Sequence, residues 1–227
     1  MATPSFPVTN VANSGKLAKV AGAVAALDAK KWTWFGLTAD GGGTRNEMSI
    51  CNATKHNIEL EKWYIHWGKV KVPPEPYIES MKQDDCLFHS AGSWSPSGSS
   101  GIVTYRLQYE TNLHIMWDCP FNFDFSDNFI GLMLTTKKDR LLPDENLFKN
   151  MYQDWQTMGI SPKVGSSYDL VCCGPSKGGS KEAGGTGPWG HLRPCKVEDK
   201  HYKVAATMGD RHATCSKITI TSTEGSN

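Results

Sequence analysis

The side chains that could ligate a metal or carry out catalysis are spread thinly along this sequence. Structural zinc sites usually contain cysteine pairs separated by about two to four residues. Here two cysteines are adjacent instead, and the nearby candidates show no matching pair: Cys172, Cys173, Cys195, Cys215, His191, His201 and His212. The aspartates and histidines likewise lack the spacing typical of a nucleophile and its base. The sequence therefore predicts no metal site, no cofactor and no enzymatic activity.

Other cysteines and one asparagine are candidates for covalent modification. The chain has 7 cysteines, so at least one stays unpaired whichever disulfides form. Cys51 and Cys86 lie on predicted neighbouring strands and form a candidate pair. Cys119, in a strand beside Pro120, is predicted to be a buried thiol. A sequon for N-glycosylation begins at Asn52, and it has meaning only in a secreted eukaryotic protein.

Aromatic content and charge narrow the classes of partner. The chain contains 8 Trp, 7 Tyr and 8 Phe, which must be divided between a core and an interface. Trp and Tyr join an apolar ring to a polar atom, and so suit binding surfaces and the headgroup region of a bilayer. The formal net charge is only +1, whereas proteins that track phosphates carry a strong basic excess. This balance argues against nucleic acid as a partner.

Hydrophobic periodicity predicts a mainly β protein, a β-sandwich flanked by two α-helices. Short segments such as GIVTYRLQY, NLHIMWDC and FIGLMLTT are rich in β-branched and aromatic residues, as strands are. One helix is predicted at 144–157, with acidic residues at its start. The other is predicted at 14–31, within an N-terminal amphipathic region 1–31, and its apolar positions fall at helical spacing: Leu17, Val20, Val24 and Leu27.

The remaining segments define the domain organisation. No domain boundary is evident, so 1–227 is predicted to be a single domain, with 162–200 a loop insertion rich in Gly, Pro and Cys. No run approaches the roughly 20 apolar residues of a membrane-spanning helix. The N-terminus lacks the pattern of a signal peptide, so the expectation is a cytosolic protein or one whose leader has been removed.

An ordered set of motifs resembles the actinoporins, the pore-forming cytolysins of sea anemones, and their relatives in molluscs and fish. The run from Gly98 to Leu134 resembles the family's strand–turn–strand segment, with a proline followed by aromatic residues in the turn. Met151-Tyr152-Gln153-Asp154 resembles the family's Met-Tyr-Glu-Glu motif, and 137–140 stands in its basic loop. The resemblance covers about residues 14–160 and 200–221, and leaves the Gly-rich block unmatched.

The resemblance implies a secreted cytolysin that binds a lipid headgroup and then inserts its N-terminal helix to form an oligomeric pore in a target membrane. The inserting face would be Leu17, Val20, Val24 and Leu27. By position, the lipid headgroup and membrane-binding residues would be Ser100, Asp118, Pro120, Phe123, Phe125, Ser126, Tyr152, Trp155 and Gln156. The headgroup implied by the family is of the phosphocholine type, as in sphingomyelin.

The chain departs from the family pattern at the headgroup pocket, and three interpretations stay open. Only Tyr152 remains of the pocket's tyrosines, and Asp118 adds a carboxylate that favours a cation and repels phosphate. A changed ligand, either another headgroup or a glycan, fits these differences. One alternative is therefore a glycan-binding module, as in the similar fungal fruit-body lectins, and another is a non-lytic cytosolic module that binds lipid or protein.

Overall fold

The computed structural model describes residues 43–91, 98–122, 126–136, 141–156, 167–173 and 194–223, except for the side chains of 153–156 and 172. These residues form two six-stranded sheets packed face to face, with one helix against the outer face of the second sheet. The predicted β-sandwich is therefore confirmed.

The first sheet has the strand order β10-β11-β12-β1-β5-β3. Its strands are β1 (Arg45–Ala53), β3 (Lys69–Val72), β5 (Lys82–His89), β10 (Cys195–Glu198), β11 (Tyr202–Met208) and β12 (Ala213–Ser222). Its one parallel pair among these strands joins β1 to β12, with Arg45 opposite Ala213. Buried and more exposed residues alternate along β11 and β12, as expected for strands with one face on a core.

The second sheet has the order β4-β2-β6-β7-β8-β9 and is antiparallel throughout. Its strands are β2 (Ile58–Trp67), β4 (Tyr77–Ile78), β6 (Ser99–Arg106), β7 (Thr111–Cys119), β8 (Phe129–Thr136) and β9 (Ser167–Cys172). The central strands β6, β7 and β8 are buried on both faces. Leu113, Ile115 and Trp117 point to the core between the sheets, where Trp117 packs on Phe88 with ring centroids 4.1 Å apart.

Helix α1 (Glu145–Gln156) covers the outer face of the second sheet. Asp144 caps it, because its carboxylate accepts a hydrogen bond from the backbone N–H of Leu147 at 2.8 Å. Leu147, Phe148 and Met151 pack on apolar side chains of β6, β7 and β8. Each such burial stabilises the fold by roughly 1.5–3 kcal/mol. The observed bounds agree with the helix predicted at 144–157.

Other sequence predictions fall outside the described residues or need correction. The helix predicted at 14–31 lies in the part that the structure does not describe. Within 162–200, predicted to be a loop insertion, the strands β9 and β10 belong to the sheets, so the loop assignment is wrong for these residues. Among the described helices, none is both long and apolar enough to cross a bilayer.

The candidate disulfide between Cys51 and Cys86 is excluded by the register of the first sheet. Their strands are neighbours as predicted, but Cys86 lies opposite Met48 while Cys51 lies opposite Gln83. Side chains alternate between the two faces of a sheet, so the two sulfur atoms point to opposite faces. Cys119 is fully buried, as predicted.

The sequon at Asn52 has a structural role. Asn52 is fully buried, and its amide nitrogen donates hydrogen bonds to the backbone carbonyls of His56 at 2.7 Å, Ile78 at 3.0 Å and Glu79 at 3.1 Å. Its amide oxygen accepts hydrogen bonds from the backbone N–H and the hydroxyl of Thr54. In the folded protein this nitrogen, near the end of β1, is therefore occupied by hydrogen bonds to the backbone and is not accessible to a glycosyltransferase.

Replacement of Asn52 should destabilise the fold. Asn52→Ala leaves three carbonyl groups without this donor, and we expect a loss of roughly 2–4 kcal/mol in the free energy of unfolding. Urea denaturation followed by circular dichroism measures the change. Asn150→Ala, at an exposed position of α1, is the matched control and should change the free energy by less than about 0.5 kcal/mol. Equal effects of the two substitutions would contradict this role.

A buried histidine ties together the outer face of the second sheet. His114 of β7 is fully buried, with Nδ1 2.8 Å from the hydroxyl oxygen of Thr104 and Nε2 2.9 Å from that of Thr135. Burial lowers the pKa of His114 from 6.5 to about 4. The imidazole is thus neutral in the native state at neutral pH and links β6, β7 and β8.

The contribution of His114 should therefore decline in acid. The unfolded chain takes up a proton at this residue below about pH 6.5, whereas the folded chain resists it down to about pH 4. Wild-type protein therefore loses up to about 3 kcal/mol of stability as the pH falls over that range. A His114→Gln variant has no imidazole to protonate, so this pH-dependent change is absent from it. Urea denaturation at several pH values should show the gap between wild type and variant narrowing as the pH falls. A constant gap would contradict the assignment.

Candidate functional site

Four side chains cross one end of the second sheet in a single row. Trp67 of β2 lies opposite Ser100 of β6, Ser100 lies opposite Asp118 of β7, and Asp118 lies opposite Phe129 of β8. We call these four residues the end row. Met116 and Ile102, two residues along from Asp118 and Ser100, pack against α1. By the alternation of a strand, Asp118 and Ser100 also face the helix side of the sheet.

Asp118 is the most unusual member of the end row. Its side chain is only partly exposed, and it has no hydrogen bond or ion pair with any residue in the described part of the chain. Burial raises the pKa of its carboxyl group from 3.8 to about 7. Asp84, the other well-buried carboxylate, accepts hydrogen bonds from the Tyr105 hydroxyl at 3.2 Å and the Glu75 backbone N–H at 3.1 Å. Asp118 has no comparable hydrogen-bond donor in the described structure.

Ser100 presents a second unsatisfied polar group beside it. Ser100 is 1% exposed, and its hydroxyl oxygen has no hydrogen-bond partner within the described residues. A buried polar group without a partner costs roughly 1–3 kcal/mol. The neighbouring carboxyl and hydroxyl groups thus form a polar pair whose hydrogen-bonding capacity the fold itself leaves unused.

Helix α1 places Tyr152 against Phe129, the residue opposite Asp118 on β8. The Tyr152 ring stands edge-on to Phe129, with centroids 5.7 Å apart, and is nearly parallel to the Phe148 ring at 6.1 Å. Its hydroxyl oxygen lies 3.5 Å from the hydroxyl oxygen of Ser126. The helix that buries the outer face therefore also supplies an aromatic wall with a polar tip.

Three residues at the end of β2 extend the aromatic wall and were not predicted as site residues. His66 stacks on Phe148 at 4.5 Å, Trp67 meets the His66 ring edge-on at 5.4 Å, and the Tyr64 hydroxyl lies 3.4 Å from His66 Nδ1. Burial lowers the pKa of His66. The density of aromatic residues in the segment WYIHW indicates a candidate binding surface at the end of this strand. The sequence does not show that the segment pairs with β6 beside Ser100.

Two large aromatic side chains at this end are open to solvent. Trp67 is 57% exposed and Phe121, two residues beyond β7, is 45% exposed. The described part of the chain holds other exposed aromatic residues, including Tyr77 on β4, but Tyr77 lies opposite Glu59 at the other end of the second sheet. Exposed rings therefore lie near the Ser100–Asp118 pair, with Trp67 beside Ser100 and Phe121 two residues beyond β7.

Inter-sheet contacts hold this end in place. The Asn128 amide nitrogen, just before β8, donates to the backbone carbonyls of Gly209 at 2.8 Å and Arg211 at 3.0 Å in the other sheet's β11–β12 turn. The Thr44 hydroxyl, just before β1, donates to the Pro120 carbonyl at 3.5 Å. The ends of β7 and β8 are thus fixed to the first sheet.

The structure brings together part of the predicted site. Ser100, Asp118, Pro120, Ser126 and Tyr152 all lie at this end of the second sheet. Phe123 and Phe125 lie outside the described residues. Trp155 and Gln156 belong to α1, but their side chains lie outside the described part. Whether these residues bind a ligand stays a prediction.

Comparison with known proteins gives one similar sequence. Over 123 residues the chain is 28% identical to Tereporin-Ca1 of Terebra anilis, a match that covers 53% of this chain and 64% of the tereporin. The match thus spans less than two thirds of the tereporin's length. No protein-family model matches the sequence.

Solved structures with a similar fold include Nakanori, described as a lipid binding protein. The TM-score is 0.53 at 13% identity, over 93% of this chain and 81% of Nakanori. A lectin of Xerocomus chrysenteron is more distant, with a TM-score of 0.39 and 11% identity over 79% of this chain and 99% of the lectin. At these identities the similarity to Nakanori establishes the fold alone.

The Asp118 carboxyl group, which has no partner in the described structure, should lower the free energy of unfolding when it is ionised. The folded state retains the Asp118 proton up to about pH 7, whereas the unfolded chain releases it near pH 3.8, so stability falls as the pH rises between these values. Asp118→Asn removes this loss. Above about pH 8 the difference between the two pKa values sets an upper limit of about 4 kcal/mol on the extra stability of the variant. We expect a smaller gain, because solvent reaches part of the Asp118 side chain.

Urea denaturation near pH 4.5 and pH 8.5 measures the effect, since the advantage of the variant should be small at the lower pH and grow at the higher one. Asp85→Asn, on an exposed residue of β5, is the matched control, and growth of equal size in this variant would contradict the assignment to Asp118. A variant less stable than wild type at the higher pH would show that Asp118 stabilises the native state.

Proposed function

We propose that this protein is a membrane-surface protein of the cytolysin type, which binds a lipid headgroup at the end row. The observation that carries the proposal is the Ser100–Asp118 pair, two polar groups without partners in the described structure, beside the Tyr152 wall and the exposed Trp67 and Phe121. Such a site can accept a polar headgroup while the rings enter the interfacial layer of a bilayer.

The chemistry of the exposed rings supports a membrane rather than a free solute. Trp and other amphipathic aromatic side chains are favoured at the membrane–water interface, where the ring contacts acyl chains and headgroups together. Trp67 lies beside Ser100 and Phe121 lies just beyond β7, so both rings can enter the interface while a headgroup contacts the Ser100–Asp118 pair. The formal net charge of +1 makes general attraction to anionic lipid a small contribution.

The comparisons support the same proposal independently. Part of the chain is similar in sequence to a tereporin, and the fold is similar to that of a protein described as lipid binding. Together with the resemblance to actinoporins, they favour a secreted protein that oligomerises on a target membrane. The pore would form when the segment 14–31 inserts, with Leu17, Val20, Val24 and Leu27 on its apolar face. No step of this function requires catalysis.

Vesicle binding and leakage test the two parts of the proposal separately. Vesicles of phosphatidylcholine, alone or with sphingomyelin or phosphatidylethanolamine, are loaded with dye and also used for co-sedimentation. Binding with leakage supports a pore-forming protein. Binding without leakage supports headgroup recognition and contradicts pore formation. Absence of binding to all three compositions contradicts the proposed function.

Removal of the exposed rings should weaken membrane binding without unfolding the protein. We expect the double variant Trp67→Ala/Phe121→Ala to bind vesicles at least about tenfold more weakly, because two interfacial rings are lost. Tyr77→Ala is the matched control, since Tyr77 is 65% exposed but lies at the opposite end of the sheet. Co-sedimentation gives the affinities and thermal melts verify the fold. A loss of equal size in the control would contradict the placement of the membrane face.

A glycan is the second candidate ligand, and the order Trp67–Ser100–Asp118 across three neighbouring strands favours it. Sugars stack on exposed aromatic rings and form hydrogen bonds with carboxylates and hydroxyl groups, and the end row carries all three. Competition separates the two functions. Soluble sugars should displace a glycan-binding protein from its target cells, whereas lipid vesicles should displace a lipid-binding one.

A further inference from the structure

We propose that the ligand group bound between Asp118 and Ser100 is a primary ammonium, as in an ethanolamine headgroup, rather than a quaternary ammonium. The inference rests on the proposed function, because it concerns the same end row. It depends on which groups surround the carboxylate and on what the unused hydroxyl can accept.

The surroundings of Asp118 contain no compensating positive charge in the described structure. Its neighbours across the sheet are Ser100 and Phe129, and Tyr152 of α1 packs on Phe129. On its own strand the next titratable group is the Cys119 thiol, whose pKa is raised by burial. The basic residue of α1, Lys149, is paired with Glu145 at 2.5 Å. A cation must therefore come from outside this part of the fold.

The polar pair suits a group with several N–H donors. A primary ammonium has three donors in a tetrahedral arrangement. The Asp118 carboxylate offers two acceptor oxygens, and the adjacent Ser100 hydroxyl offers another that no described residue uses. A primary ammonium can thus satisfy both groups at once. The buried Ser100 hydroxyl also adds specificity for an N–H donor, because a carboxylate alone would attract any cation.

A quaternary ammonium fits the same groups poorly. It has no N–H donor, and its methyl groups hold the charge away from the carboxylate oxygens, so the attraction is weaker. Quaternary ammonium groups are instead recognised by open aromatic faces. The Tyr152 ring packs at centroid distances of 5.7 Å from Phe129 and 6.1 Å from Phe148, so these two neighbours take up part of its surface. In the described structure a single exposed ring, that of Trp67, adjoins Ser100.

The charge of Asp118 also sets the orientation of the ligand. A phosphate next to the carboxylate would be repelled, so the ammonium end enters the row and the phosphate stays on the solvent side. A phospholipid with a terminal ammonium meets this requirement, because its phosphate lies between the ammonium and the bilayer. The same chemistry occurs in soluble phosphoethanolamine, and the experiment must distinguish the two sources.

Binding is measured near pH 8.5, where the Asp118 carboxyl is ionised. Wild-type protein is compared on phosphatidylcholine vesicles with and without phosphatidylethanolamine, and soluble phosphoethanolamine and phosphocholine serve as competitors. We expect at least about tenfold tighter binding to the vesicles that contain ethanolamine lipid, and we expect phosphoethanolamine to be the better competitor. Vesicle binding without competition by the soluble compound assigns the site to the lipid and still supports the inference.

Variants connect the preference to the polar pair. Asp118→Asn should abolish the preference and Ser100→Ala should reduce it, whereas Asp85→Asn should retain it. Asp118→Asn is expected to be the more stable protein at this pH, so loss of preference in this variant does not reflect unfolding. Urea denaturation of each variant verifies this point.

Two results overturn the inference. Equal binding of both vesicle types by wild-type protein would do so while leaving a lipid-binding function intact. A preference that survives in Asp118→Asn would place ammonium recognition elsewhere. If wild-type protein binds no vesicle but binds soluble phosphoethanolamine over phosphocholine, the inference stands and the membrane function falls. Absence of binding to either soluble compound and to vesicles overturns both.

Discussion

Burial of β6, β7 and β8 on both faces is the constraint on which the rest of the structure depends. The inner face packs on the first sheet and the outer face is covered by α1. Every side chain on these strands must therefore be apolar, hydrogen-bonded or close to an end. His114 meets the condition through two threonine hydroxyls, whereas Asp118 lies close to the end of β7 without a partner in the described structure.

This constraint explains why the candidate site is at the end of the second sheet. Covering by α1 removes water from the outer face, which raises the energy of a charge placed there. Toward the strand ends the cover becomes incomplete, so a carboxyl group can be partly desolvated and still be reached by a ligand. Asp84 shows the contrast, since two hydrogen bonds make it a structural carboxylate inside the same sandwich.

The strands and the helix of the second sheet were accessible to sequence reasoning because their signals are local. Apolar residues follow one another in FIGLMLTT, and acidic residues mark the start of α1. Strand register depends on contacts between residues far apart in the sequence, so it could not be predicted from local patterns. For this reason the candidate Cys51–Cys86 pair was wrong, and the position of Trp67 opposite Ser100 was not predicted. The strands β9 and β10 were missed because they flank a Gly-rich block whose composition is typical of loops.

Some residues of the candidate site were predicted from local sequence motifs, and others were brought to the site only by strand pairing. Ser100, Asp118, Pro120, Ser126 and Tyr152 were identified through a motif order that resembles a family, and the fold places them at one end. Tyr64, His66 and Trp67 come from a strand distant in sequence, and only hydrogen-bonded pairing with β6 brings them there. The Asn52 sequon has the pattern of a modification site, yet Asn52 is fully buried near the end of β1, and only the structure shows its hydrogen bonds to the backbone.

The contact between Thr44 and Pro120 has a consequence for how the N-terminal segment would work. Because Thr44 contacts Pro120 beside the end of β7, the segment that precedes Thr44 in the sequence is covalently attached at the same end as the end row. A tethered segment has a high effective concentration at whatever surface that end touches, with no need for a separate encounter. If the end row docks on a bilayer as proposed, residues 14–31 would be tethered to the same surface through the chain, and this tether would couple recognition to insertion.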